Sequence, residues 1–426
     1  MDSNREKFIM IYFFKNIRKI FITFYLSEIS ENIMLIRRND YMDRLYEGKD
    51  DNDVIKVITG MRRCGKSTLL EMYMDELIQL GVSENCIFHM NLESPEGQLI
   101  TDSKDLNEWL MQIPRDIQTY LFLDEIQNVS NWEKSLAATG TMKLCDVYVT
   151  GSNSKLLSSE LSTHISGRHV EIKMLPFSFK EYLIKHPSED LEKCFEMFLR
   201  YGSLPAIDPS KGDRYCMDYL EGVFNTVLLK DVMERKELRG SRKLRNIARY
   251  LSSNIGNIIN DSVISKQSGI NPVTVDRYIE GLVESLLFHQ VERYDIIGKR
   301  LLNSNVKYYV TDLGIRNAAL AGAIGTDIGR QIENVVFLEL LRRRYTVRVG
   351  SFRDREIDFT ATRDGITEYF QVTTTLMSQE TKDREIKPFT AVHDNWRKTI
   401  ITMDRLGLGS EDGVDIVNLY DWLLND

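Results

Sequence analysis

The sequence predicts an α/β fold: a parallel sheet covered by helices, then a mostly helical stretch, then a second segment in which strands return. Two patterns carry this. Four short apolar runs, Val54–Gly60, Asn85–Glu93, Thr119–Ile126 and Cys145–Ser152, are mostly separated by enough chain for a helix, and strands alternating with helices make a parallel sheet buried on both faces. From about Leu191 to about Gly240 clear strand signals are absent, and after Asn305 alternating and β-branched runs reappear.

In order along the chain, VIKVITG (Val54–Gly60) is β-branched and apolar, the texture of a buried strand. STLLEMYMDELIQLG (Ser67–Gly81) spaces its apolar residues as a helix does and stops at a glycine. Between Arg242 and Arg300 lies a compact helical run with a turn at Gly269–Pro272; QSGINPVTVDRYIEGLVESLLFHQV reads as helix, turn, helix, then strand, the order of a winged helix-turn-helix. GRQIENVVFLELLRRR (Gly329–Arg344) is an amphipathic helix, and YTVRVGSF, REIDFTATR and ITEYFQVTTT follow it as strands.

At 426 residues the chain is long enough for two to four well-cored domains. Its net charge of −8 argues against attraction of nucleic acid by the whole surface and leaves room for a local basic face. The five cysteines, Cys64, Cys86, Cys145, Cys194 and Cys216, form no CxxC pair, and the six histidines, among them His164, His169, His289 and His393, show no ligand spacing. Structural disulfides and zinc are therefore not expected, and a reducing cytoplasm suits the composition. Phe8–Ser27 is apolar but interrupted by Lys15, Arg18 and Lys19, so it is too short on either side to span a bilayer. An interfacial amphipathic helix is one reading of it; a misassigned start, with the natural chain beginning at Met34, is the reading we prefer.

The chemistry concentrates first at GMRRCGKS, Gly60–Ser67, which matches G-x-x-x-x-G-K-[ST] with a strand before it and a helix after it. Its residues Gly60, Met61, Arg62, Arg63, Cys64, Gly65, Lys66 and Ser67, with Thr68, are expected to bind a nucleoside triphosphate. Glycines let backbone N–H groups turn toward phosphates, and the helix N-terminus adds positive potential. Lys66 is placed for the β- and γ-phosphates and Ser67 for Mg²⁺. Arg62 and Arg63 are open between touching phosphate and pairing with acids. YLFLDEIQ (Tyr120–Gln127) ends an apolar strand in two acids. Asp124 then joins Ser67 as a metal residue, and Glu125 orients or deprotonates the attacking water. VYVTGSN ends the next strand, where Asn153, or Ser152, either bonds the γ-phosphate or simply makes a turn. Arg168 is either a finger acting on the transferring phosphate, in its own subunit or across an interface, or a surface ion-pair partner.

Together GMRRCGKSTLL, FLDEIQNVSNWEKSL, VTGSNSKLLSSELSTHISGR and LPFSFKEYL resemble the AAA-type ATPases of archaea and bacteria that carry a C-terminal domain of unknown function. YGSLPAI (Tyr201–Ile207) is similar to that family's glycine-proline motif in the lid. The resemblance runs from about Met34 to the end. It implies a P-loop AAA-type core over 34–190, a helical lid over 191–240, a winged helix over 241–305 and a restriction-endonuclease-like domain over 306–426, after an extension over 1–33. It implies ATP as the nucleotide, Glu125 as base, Asn153 as sensor and Arg168 as finger. A nuclease of that C-terminal fold needs an acid on one strand, E-x-K on the next and a glutamate on a helix. Here Glu333, Glu356 and Asp358 are present, but Gln371 and Thr373 stand where Glu and Lys belong, and Glu368 is out of register. The nuclease fold is expected to be inactive.

Three functions follow, in descending order. The first is an ATPase that couples hydrolysis to rearrangement of the winged helix and C-terminal domain. The second is a slow nucleotide-gated switch binding DNA or a protein. The third is an active Mg²⁺ nuclease. Nine Lys or Arg against six Asp or Glu between Arg242 and Arg300 give only a weak basic excess, so DNA and protein both stay open as partners of the winged helix. Oligomerisation is compatible with the motifs, and a stable membrane span is not expected.

Overall fold

A computed structural model of the chain describes residues 35–139, 145–157, 167–236, 238, 240–321, 327–352, 355–392 and 394–425. The segment 1–33 with its Phe8–Ser27 run, Met34, His164 and His393 lie outside the described residues. The chain divides into two compact units. One runs to Ile58 and includes Lys66–Gly151 and Leu156–Ile172; the other comprises Thr59–Gly65, Ser152–Lys155 and Lys173–Asp426.

The first unit is built on a five-stranded sheet. In chain order its elements are α1 (Asn39–Glu47), β1 (Ile55–Gly60), α2 (Lys66–Gln79), β2 (Ile87–Asn91), α3 (Ser103–Leu110), β3 (Thr119–Asp124), α4 (Trp132–Thr139), β4 (Cys145–Gly151) and β5 (His169–Met174), with strand order β2-β3-β4-β1-β5. The β2/β3 and β3/β4 pairs are parallel. Every residue of β1, β3 and β4 is buried, which is why these stretches read as continuous apolar runs instead of alternating ones. Leu121, Leu123, Val147 and Val149 join Leu106, Trp132 and Leu136 in one core. Phe122 and Tyr148 stack with ring centroids 4.9 Å apart, next to Tyr73 of α2. Lys56 pairs with Asp146 inside this unit, and the Tyr148 hydroxyl donates to the same carboxylate at 2.8 Å.

The second unit opens with α5 (Phe179–Lys185), α6 (Leu191–Tyr201) and α7 (Asp213–Thr226), and α7 runs on into a π-helix, Val227–Glu234. Next come α8 (Ser241–Ser253), β6 (Ile258–Ile259), α9 (Asp261–Ser268), α10 (Pro272–Glu284), β7 (Phe288–Asp295) and β8 (Arg300–Val310). The α9–α10 turn forms as the sequence predicts: Gly269 is left-handed at φ 65°, and the Asn271 side chain caps α10 by accepting from Val273 N. The remaining elements are α11 (Leu313–Ala319), α12 (Ile328–Arg342), β9 (Thr346–Phe352), β10 (Arg355–Arg363), β11 (Ile366–Thr373), α13 (Gln379–Ile386), β12 (Arg397–Thr402), β13 (Gly409–Glu411), β14 (Val414–Asn418) and α14 (Leu419–Leu424).

A nine-stranded sheet, β13-β14-β12-β11-β10-β9-β7-β8-β6, runs through this unit. The parallel β7/β9 pair joins the strands after the helix-turn-helix to those of the C-terminal part, and β8 itself runs across position 305. The YGSLPAI segment is anchored here. Asp312, the N-cap of α11, accepts from Ser203 N at 2.7 Å and from Ile315 N at 3.0 Å, and its burial pushes the carboxyl pKa up to about 6.

Candidate active site

The loop between β1 and α2 has the backbone that its composition calls for. Arg63 and Gly65 take positive φ, 71° and 104°, and Cys64 N donates to Met61 O at 3.3 Å. A Cβ on Gly60 would stand 2.5 Å from Met174 O and 2.7 Å from Cys64 Sγ, so the first glycine of the motif is required by close backbone approach. Lys66 and Ser67 begin the fourteen-residue α2, which places its free N–H groups and positive end at the loop.

Around Lys66 the first unit gathers three strand ends. Lys66 is buried, and its Nζ lies 3.3 Å from Glu125 Oε1. Asp124, fully buried at the end of β3, accepts from Asn91 Nδ2 of β2 at 3.1 Å and from the Thr150 hydroxyl of β4. Thr150 Oγ1 in turn accepts from Glu125 N at 2.9 Å. Glu125 takes a left-handed backbone, φ 56° and ψ 49°, uncommon for a residue that is not glycine and a conformation that collects at functional sites. Gln127 Nε2 holds the second oxygen, Oε2, of Glu125. Asn91, Thr150 and Gln127 were not picked out from sequence; the roles of Asn91 and Thr150 depend on which strands are neighbours, while Gln127 reaches Glu125 from two residues along the same segment. Glu71, one turn along α2 from Ser67, is also new here. Desolvation and then the Asp124 charge raise its carboxyl pKa, although the residue as a whole is solvent-exposed. Ser67 and Thr68 are half-buried on the first turn of α2.

The other expected residues divide. Asn153 is buried just beyond β4, and its neighbour Ser152 accepts from Arg235 Nη2 at 3.3 Å. Arg62 pairs with an acid: its Nε and Nη2 lie 3.1 and 3.2 Å from the two oxygens of Asp231. Arg63 is exposed. Arg168 is exposed just before β5, and its carbonyl accepts from Ile55 N at 3.1 Å. Ile55 starts β1 and Gly60 ends it, about 16 Å further along at the usual strand rise. Arg168 therefore stands at the edge of the sheet opposite the phosphate loop, and action on its own subunit's phosphate is not supported.

The acids of the C-terminal part also meet, and Lys307 of β8, which the sequence reading did not pick out, lies among them. Lys307 is buried with Nζ 3.1 Å from Glu333 and 2.5 Å from Glu356, and the Glu333, Asp358 and Glu356 charges hold its pKa above the ordinary lysine value against desolvation. Tyr309 OH donates to Glu333 at 2.6 Å and Val372 N to Asp358 at 2.8 Å. Gln371 donates to Glu385 at 2.8 Å, and Glu368, on the other face as register requires, accepts from Tyr345 OH. A cavity of about 750 Å³ opens over Glu333, Glu356, Asp358 and Gln371. Among the described residues no three His, Cys, Asp or Glu side chains are arranged to hold a metal ion, and no helix is long and apolar enough to cross a membrane.

A phosphate loop at the head of a helix, an acid pair at the end of β3, which β4 separates from β1, and the sheet order β2-β3-β4-β1-β5 define a nucleotide-binding fold of the AAA class. Residues 52–183 match the AAA domain family, and residues 192–325 match a domain family of unknown function. The chain belongs to the same family as an uncharacterized protein of Haemophilus influenzae, to which it is 35% identical over 92% of this chain and 99% of that protein. An uncharacterized protein of Methanocaldococcus jannaschii is 28% identical over 93% of this chain and 94% of its own length. Among solved structures, the Aeropyrum pernix ORC1 protein in complex with DNA is 11% identical, with 68% of this chain and 93% of that chain covered at a TM-score of 0.32. That likeness carries no argument about this chain.

Proposed function

We propose that the chain is a Mg²⁺-dependent ATPase whose phosphate site is the loop Gly60–Ser67 and whose base is Glu125. The observation that supports it most is the contact of Lys66 Nζ with Glu125 Oε1 at 3.3 Å, beside the buried Asp124. A lysine that now faces a carboxylate is placed to turn to the more highly charged β- and γ-phosphates. Glu125 Oε1 is then released for a water, while Gln127 keeps the other oxygen fixed. The water oxygen bonds to the γ-phosphorus, the bond from that phosphorus to the β–γ bridging oxygen breaks, and the water proton passes to Glu125. Ser67 and Asp124 are the residues that would hold Mg²⁺, which supplies charge neutralisation at the phosphates.

We further assign α8, α9, α10, β7 and β8 to a winged helix that contacts DNA or a protein, and the C-terminal part to an inactive restriction-endonuclease-like domain. Asn153 is retained as a γ-phosphate sensor. Arg168, given its place at the far edge of the sheet, is retained only as a finger acting across a subunit interface of an oligomer. Phosphate release by the purified full chain tests the central reading. It should require Mg²⁺ and disappear in both Lys66→Ala and Glu125→Gln; release at the wild-type rate in either variant would refute the assignment.

A further inference from the structure

The π-helix Val227–Glu234 carries Asp231 in its second half, with that side chain 1% exposed. An eight-residue π-helix is rare, and such distortions collect at functional sites. The Asp231 carboxylate meets Arg62 of the phosphate loop through two nitrogens, at 3.1 and 3.2 Å. Arg235, one turn further on, brings Nη2 to 3.6 Å from Asp231 Oδ1 and to 3.3 Å from Ser152 Oγ, beside Asn153. One buried carboxylate thus engages an arginine of the phosphate loop and an arginine next to the expected sensor. A guanidinium offers a phosphate the same fork of N–H donors that it offers a carboxylate.

The same helical stretch touches α10 through Val232 and Lys236. A Cβ on Gly281 of α10 would stand 2.7 Å from Val232 Cγ1, so the two helices are in contact with no room for a side chain. Lys236 Nζ pairs with Glu280 and Glu284 of α10, each at 2.9 Å. The Ser154 hydroxyl donates to Glu284 O at 3.3 Å. Direct packing and two ion pairs thus connect this helical stretch to α10, and tightly packed elements move between discrete arrangements in place of deforming smoothly.

We propose that Asp231 occupies, for Arg62 and Arg235, the role that the β- and γ-phosphates of a nucleoside triphosphate take over on binding. Transfer of these arginines from carboxylate to phosphate releases the π-helix and displaces α10, the second helix of the helix-turn-helix. Asp231 is a positioning residue in this scheme, and the inference rests on the reading of Gly60–Ser67 as the triphosphate site.

The test uses the full chain with a slowly hydrolysed ATP analogue and Mg²⁺, with affinity and backbone hydrogen exchange as readouts. In the wild type the analogue should speed exchange in Val227–Glu234 and Pro272–Glu284. Asp231→Asn should show that faster exchange without nucleotide, and should bind the analogue about tenfold more tightly, the worth of one charge-assisted contact no longer competed for. A merely structural clasp predicts the reverse, weaker binding in Asp231→Asn, and that result overturns the proposal. Binding that is lost in Lys66→Ala yet indifferent to Asp231→Asn overturns it while leaving the nucleotide reading intact. No binding by the wild type overturns both. Should Asp231→Asn fail to fold, the wild-type exchange decides: unchanged exchange in both helices with the analogue bound refutes the coupling.

Discussion

Replacing Lys307 by Met removes the cation at the centre of the C-terminal acid cluster and retains most of the side-chain volume. Lys307 Nζ lies 3.1 Å from Glu333 and 2.5 Å from Glu356, and the Asp358 charge acts on it as well. Removing one partner of a buried ion pair costs roughly 3–5 kcal/mol, because the charge left behind is neither solvated nor paired. Two contacted carboxylates and a third close by place Lys307→Met toward the upper part of that range at pH 7. The loss should depend on pH. Burial and the Glu333 charge already hold the Asp358 carboxyl well above its ordinary pKa. A carboxyl raised in the folded state contributes stability below its unfolded pKa, near pH 4, and loses it as pH rises through the folded value. Without Lys307 the raising is larger, so the deficit against wild type should be smallest near pH 4 and widen to pH 7. Asp358→Asn added to Lys307→Met should recover part of it. The assay is urea unfolding from pH 4 to 8, with hydrogen exchange in Arg300–Val310 and Arg355–Arg363 to locate the transition. A deficit under about 1 kcal/mol at pH 7, or one that does not change with pH, would refute the view of Lys307 as the charge that this cluster requires.

Further outcomes follow from the same structure. Asp312, at about 6 in the fold, should make stability decline between pH 4 and pH 6; Asp312→Asn should remove that slope in a denaturation series while keeping only one of the two backbone contacts, to Ser203 N or to the cap at Ile315 N, because an amide has one acceptor oxygen. Gly60→Ala puts a Cβ 2.5 Å from Met174 O, so a loss of about 1–3 kcal/mol in thermal unfolding is expected together with weaker nucleotide binding. Lys56→Met leaves the buried Asp146 with only hydroxyl and N–H donors, from Tyr148 and Asp50; a loss of roughly 3 kcal/mol or more is expected in equilibrium unfolding. Thr150→Val deletes the hydroxyl that bridges Asp124 and Glu125 N, and should lower the phosphate-release rate more than it lowers nucleotide affinity.

What could be read directly from the chain was local. A strand, a loop and a helix that follow one another between Ile55 and Gln79 carry their own signature, because glycine placement, the lysine and the helix start are fixed by spacing within a dozen residues. The same holds for Asp124 and Glu125 at a strand end, for the α9–α10 turn, and for the run of strands after Arg344. The other half of each site was hidden for a physical reason. Periodicity tells a residue which face it occupies, and says nothing about which distant element will cover that face. Asn91 and Thr150 hold the acid pair only because β2 and β4 flank β3. Arg168 carries an arginine's chemistry, and only the β1–β5 pairing shows it at the edge away from the phosphate loop. Lys307 sits on β8, 26 residues before the Glu333 it neutralises, and a search for E-x-K on a single strand does not reach it. Asp231 and Arg62, 169 residues apart, meet only in the folded chain. The sequence by itself thus determined the phosphate-binding loop and its fold class, since both are written in short-range spacing. Tertiary structure alone decided which charges those residues face, since charge pairing is settled by what packs against what.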